Sequence, residues 1–501
     1  MPSPASTASS TGTSRAPYPS RRVTSGLPIV LLATAIGLVV GSVIGYSGKG
    51  SYVLFCLAPL IGVSLVIWPQ TLLVHIPVLM MLFQGGSHFG FEDGAVRVLD
   101  VYTMWVGQLG TISAVELFTW AAAFICLVAL PPRARAILRG DSAFFALLAL
   151  CGLYLLYVGR ALLEGNSVAA SINVLGGRFF ISWLCVYFVV NVTLSRPVHM
   201  RTIAGFMLTL AVLRAIFGLA RFVFFGGDPQ NPYNSPGAPL VSLVFFDQPD
   251  SMCMAWALAA CSMTLSRGRL TRLTEKILIV ASMFAFLTVI LGSIRRTAWA
   301  GLAALLLWHF LLLRRSHSVV LAVGTLLCVW PMRHFLLRRF DSVAHGNLLE
   351  KLSYDTGRFQ EWILALAAID RSPVFGLGVD AEYQGLPSPF WAASPKLVHN
   401  AFIMAWMKLG VVAPLLLAAF LAIIMVRAYV TIRSRASFDR ALWAFSAAGA
   451  LLFNMLSFVF ASPWIELRQV IVVAFMSGAV SVASRAERVS PDGPPDRERP
   501  G

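Results

Sequence analysis

The stretch "LVHNAFIMAWMKLGVVAPLLL", residues 397–417, starts as a polar loop and turns within a few residues into an apolar run. The run continues to residue 426, and a span over 403–426 is long enough, at about 20 residues, to cross a bilayer as a helix. Comparable runs lie near 27–45, 51–68, 70–84, 112–131, 142–159, 176–193, 203–225, 251–266, 277–293, 298–313, 318–332, 440–460 and 468–484. The pattern is that of an all-α polytopic membrane protein, with about 12–14 transmembrane helices. Composition agrees. Of 501 residues 57% are hydrophobic and only 12% charged, more apolar surface than a soluble chain of this size can hide.

A net charge of +16 would suggest nucleic acid in a soluble protein, but here it follows the membrane. With the N-terminus inside, the expected inner loops hold Arg133, Arg135, Arg139, Arg201, Arg267, Arg272, Arg427 and Arg433. Most acids, among them Glu92, Asp93, Asp100, Glu164, Asp250, Glu361 and Asp380, fall in outer loops. That bias places both termini in the cytoplasm and explains the basic excess without a nucleic-acid partner. The seven cysteines all lie in apolar stretches and form no CxxC, so they read as packing residues rather than as disulfides or zinc ligands.

The expected organisation is a disordered cytoplasmic tail over 1–26, transmembrane helices over 27–332, an extracytoplasmic loop over 333–398, transmembrane helices over 399–484 and a second cytoplasmic tail over 485–501. The run after the tail reads as a retained helix, because no small-x-small cleavage site follows it. At about 65 residues the outer loop is longer than a connection needs to be. Within it "GRFQEWILALAAIDRSP" has helical spacing, with Phe359, Trp362, Ile363, Leu366 and Ile369 on one face and Pro373 ending the run. This gives an amphipathic helix whose apolar face points down onto the membrane.

Positive charge on the outer side needs a separate reason. Arg178 follows Gly176–Gly177 at the start of a span, Arg295 and Arg296 sit between two apolar segments, and Arg358 opens the loop helix. Each reads either as an arginine snorkelling to lipid phosphates or as part of a site for a phosphorylated ligand. Guanidinium forks suit the second role because they match phosphate oxygens two at a time. His399 closes the loop, with Asn400 as the following N-cap. It is a polar loop end or, near neutral pH, a proton acceptor. Gly410, eleven residues on, falls on nearly the same helical face. Glu92 and Asp93 are solvated loop acids or a catalytic base. No Walker loop, HExxH, GxSxG or DxD is present, so neither a metal nor a nucleotide-sugar site is legible.

Three of these stretches, in order, resemble the O-antigen ligase and polymerase superfamily of bacterial envelope glycosyltransferases. "GSIRRTAWAGLAALLL" is similar to its arginine motif opening a span, with Arg296 the better match of the pair. "GRFQEWILALAAIDRSPVFGLGVD" resembles its GR…W…PxxGxG loop segment, and "HNAFIMAWMKLGVV" its HN-x9-G signature. Ala413 departs from the Gly, Thr or Tyr common three residues after the last glycine. The resemblance implies a GT-C type fold, located in the bacterial inner membrane, without metal or other cofactor. It implies glycan transfer from undecaprenyl diphosphate to an acceptor sugar hydroxyl on the periplasmic side. His399 would then be catalytic, Arg296, Arg178, Arg295 and Arg358 would bind the diphosphate, and Asn400 and Gly410 would support the loop and helix. Polymerisation is preferred over ligation because nothing in the chain points to lipid A. A polyprenyl-phosphate-sugar transferase using Glu92 or Asp93 as base, and a lipid-linked glycan transporter, stay open as alternatives.

Overall fold

The computed structural model describes residues 69–82, 112–172, 177–194, 197–225, 248–267, 270–293, 296–313, 321–330, 360–384, 396–434, 436–460 and 466–485, with single positions at 319 and 333. All regular structure among them is helical. The principal helices are α1 (Leu72–Leu82), α2 (Ala114–Ala129), α3 (Pro131–Gly140), α4 (Ser142–Leu163), α5 (Phe179–Thr193), α6 (Pro197–Phe225), α7 (Gln248–Ser266), α8 (Leu273–Gly292) and α9 (Arg296–Leu312). They continue with α10 (Leu321–Trp330), α11 (Gln360–Ile369), α12 (Ala401–Leu409), α13 (Val412–Arg433), α14 (Phe438–Phe460) and α15 (Leu467–Ser484).

The protein is an all-α polytopic membrane protein. Among the described residues six helices are long and apolar enough to cross a membrane, or seven if the bent pair Ala114–Ala129 and Pro132–Gly140 is one span. Hydropathy alone predicts more, because it counts every apolar run. Several of those runs form short helices among the described residues: Phe179–Thr193, from the expected span 176–193, has 15 residues, and α1 has 11. The expected spans 27–45 and 51–68 lie outside the described residues.

The centre of the bundle is α7 and α15 with α5 and α14. In α15 the span is 94% buried, against 39% in α4, α8 and α13. A helix that is apolar and buried all round belongs in the middle of a bundle. The peripheral helices instead expose Leu155, Leu156, Phe224, Ile277, Leu278 and Leu415, which matches a lipid solvent. Small residues let central helices approach closely. A Cβ on Gly478 would press on Val190 Cβ at 2.9 Å, and Trp256 meets Trp443 with ring centroids 5.4 Å apart.

Charged groups tie the helix ends together. Asp141 caps α4 by accepting from Ala143 N and Phe144 N, and it also meets Arg427 at 2.7 Å, Arg485 at 3.0 Å and the Tyr187 hydroxyl at 2.8 Å. Glu116–Arg178, the α4 C-terminus and the start of α12 lie at the opposite end of the bundle. Asp250, expected in an outer loop, is instead in the first turn of α7 and fully buried. Arg214 holds both of its oxygens at 3.1 Å, and Arg468 bonds it while donating to Met80 O at 2.8 and 3.0 Å. The reason is that α7 begins at Gln248, three residues before the expected span 251–266, which brings Asp250 into the helix where two arginines neutralise it.

One further expectation changes. The run 403–426 is not one helix. Gly410, at φ +78°, ends α12, and α13 starts afresh at Val412 with 22 residues, long enough to span alone. The loop helix forms, with Glu361, Ala365, Ala368 and Ile369 as its buried line and Ile363 and Leu366 exposed.

Candidate active site around His399

The first four N–H groups of a helix need acceptors from elsewhere. At α12 the Asn400 side chain supplies one, accepting from Phe402 N and Ile403 N, each at 3.0 Å. The extended backbone of this cap turns the preceding residue, His399, back toward α11. There three contacts hold it. Its Nδ1 lies 2.8 Å from Glu361 Oε2, its backbone N–H donates to Glu361 Oε1, and its carbonyl accepts from Trp362 Nε1 at 3.3 Å. The His399 side chain is 17% exposed and that of Glu361 7%.

The glycine-rich turn after α11 locks this arrangement from the other end. Leu377 N donates to Met407 O at 2.7 Å, Gly378 N to Lys408 O at 3.1 Å, and Val411 N to Val374 O at 3.2 Å. Trp406 Nε1 donates to Pro373 O at 2.6 Å. Lys408, buried within an otherwise apolar helix, donates to Val379 O at 2.9 Å and Ala381 O at 3.2 Å. Lys396 bridges to Asp380 at 2.6 Å and Glu382 at 3.3 Å, closing the turn on the side where the chain re-enters. The PxxGxG and HN-x9-G stretches are therefore two halves of one substructure.

The arginines divide. Arg178 is buried at the start of α5, with Nε 2.8 Å from Glu116 Oε1 and its guanidinium carbon 5.1 Å from the Phe179 ring centroid. Glu116 itself completes a capping box on α2, accepting from Ser113 N through Oε2 at 2.9 Å. Arg178 thus has a carboxylate partner at the His399 end of the bundle, and that partner is not a member of the His399 cluster. Arg296 is the first residue of α9. The adjacent Thr297 donates to Gln248 Oε1 at 3.2 Å, and Gln248 donates to Asn454 at 3.3 Å. Arg295, Arg358, Glu92, Asp93 and Asp100 lie outside the described residues. Among the described residues no three His, Cys, Asp or Glu side chains gather as a metal site.

Residues 281–418 match the family model described as O-antigen ligase. This segment belongs to the O-antigen ligase and polymerase superfamily. The matched residues of this O-antigen ligase-type segment include all three motif stretches, α9, α11, α12 and the glycine turn. No curated protein matches the chain.

Sequence reasoning missed Glu361, which it counted as an ordinary outer acid, and it missed Lys408 and Arg214. A signal existed for the last two, since a basic residue inside an apolar run is costly and implies a partner. None existed for Glu361, one residue before the motif tryptophan.

Proposed function

We propose that the protein is an inner-membrane glycosyltransferase that polymerises envelope polysaccharide. It would take glycan from undecaprenyl diphosphate and pass it to an acceptor sugar hydroxyl on the periplasmic side. The observation that carries this reading is His399, held at the threshold of α12 by contacts from α11, within the family-matched segment.

In the step, the acceptor oxygen bonds to the anomeric carbon of the donor glycan as that carbon's bond to the diphosphate oxygen breaks. His399 takes the hydroxyl proton, and undecaprenyl diphosphate departs with the bonding electrons. Negative charge then grows on the diphosphate, where preorganised donors act most strongly. Arg296 stands at the N-terminus of α9, the end of the helix dipole that favours an anion. Arg178, Arg295 and Arg358 are assigned to the same leaving group. Asn400 and Gly410 support the histidine through the cap and the turn. The chemistry asks for no metal and no nucleotide, because the donor is already activated by its diphosphate.

Cells carrying His399→Ala or Arg296→Ala at normal abundance should lose long-chain glycan. Full-length polymer from either variant would remove that residue from the mechanism. The family description names ligases, so ligation onto a lipid A core is the second reading. Lipid A carrying glycan in a host supplied with the gene, with no lengthening of lipid-linked chains, would select it.

A further inference from the structure

We propose that Glu361 is the positioning residue for His399, fixing its proton on Nδ1 so that Nε2 is the nitrogen presented to the acceptor hydroxyl. This rests on the reading of His399 as the proton acceptor and goes one residue further, to a side chain outside the signature positions of the motif stretches.

An ionised carboxylate only accepts hydrogen bonds, so a ring nitrogen 2.8 Å from Glu361 Oε2 must be the one that carries hydrogen. In neutral imidazole the other nitrogen is then the base. Glu361 spends both of its oxygens on one residue, Oε2 on the ring and Oε1 on the backbone N–H. The two bonds together fix the side-chain torsions of His399 as well as its tautomer. A buried carboxylate needs such donors, since burial without them is costly. Trp362, the next residue, adds the third hold through the His399 carbonyl.

The platform is rigid for a reason already visible in the fold. Helix α11 is pinned at its far end by the Trp406–Pro373 bond and by the backbone bonds of residues 374–378 to α12 and its C-terminal turn. Glu361 therefore cannot drift relative to His399 without unpicking that interlock. Tyr383 is the titratable neighbour that senses Glu361. Burial first, and the Glu361 charge second, push its phenol well above the ordinary value, so it stays neutral and adds no competing anion. When Nε2 accepts the hydroxyl proton, the ring becomes a cation directly against the carboxylate. The Nδ1 proton does not move.

The test uses the full-length protein in detergent and, as donor and acceptor, the lipid-linked glycan extracted from cells lacking it. Glu361→Gln should lower kcat about 10–100-fold, the order of loss seen when the hydrogen-bond partner that orients a metal-bound histidine is removed. KM should stay within about twofold, because substrate binding is not what is lost. Glu361→Asp, which keeps the charge but draws it back, should recover part of the rate. Glu361→Gln combined with His399→Ala should be no slower than His399→Ala alone. Unchanged kcat in Glu361→Gln overturns the proposal while leaving His399 as the base. So does a loss shared between kcat, KM and thermal midpoint, which would mean a scaffold role. Wild-type turnover in His399→Ala would instead overturn the reading beneath it.

Discussion

Gly376 and Gly410 pack backbone against backbone, each in the left-handed region, at φ +66° and +78°. A Cβ on Gly376 would collide with Gly410 N, and one on Gly410 with Val374 O. The colliding atoms are main chain and cannot swing aside. Gly378, at φ +106°, has open space where a Cβ would go. Gly376→Ala and Gly410→Ala should therefore each cost about 1–3 kcal/mol from overpacking, with backbone strain added. Gly378→Ala carries strain alone and should cost less. Thermal unfolding of the three purified variants checks the order, and an equal or larger loss at Gly378 would contradict it.

Asp250 balances two buried arginines, Arg214 and Arg468, within the helical core. Removing the carboxylate leaves two guanidiniums facing each other without water. Breaking a buried pair from one side typically costs about 3–5 kcal/mol. Asp250→Ala should accumulate poorly and unfold early. Wild-type abundance and melting in that variant would show that the triad contributes nothing to the fold.

Arg178 and Glu116 allow folding to be separated from chemistry. Each single alanine variant buries an unpaired charge, so both should reduce abundance. The double variant should regain it, since neither charge remains. If Arg178 also serves the diphosphate, the recovered double variant still makes no polymer. Polymer restored along with abundance would confine Arg178 to a structural pair.

The Lys396 amine is held above its ordinary value of 10.5 chiefly by its hydrogen bond to Asp380. A lysine raised in the folded state adds stability below that ordinary value and loses it as pH climbs through the folded one. Hydrogen exchange in residues 379–384 should thus quicken above about pH 10.5. Asp380→Asn should flatten that dependence, and an identical profile in the variant would remove Lys396 as its origin.

Part of the candidate site's local structure was legible before folding was considered. His399, Asn400 and Gly410 stand out because a loop end, a cap and a helix stop each leave a local mark in residue type. Asn400 does cap α12, and Gly410 does end it. What could not be read was the partner of each charge. Glu361 meets His399 across 38 residues, and Arg468 meets Asp250 across 218. The loop helix itself was legible from its spacing, but not that Glu361 would lie on its buried line.

The sequence by itself determined the class, a bundle of apolar helices in a membrane, and the order of the motif stretches along it. Transfer of a helix into lipid depends on the composition of that stretch alone, so each run declares itself locally. Only the tertiary structure decided that 403–426 breaks at Gly410, that Asp250 is interior, and that Glu361 holds His399. Those outcomes depend on which backbones can approach and which charges must be neutralised once water is gone. Both are properties of neighbours brought together from distant parts of the chain.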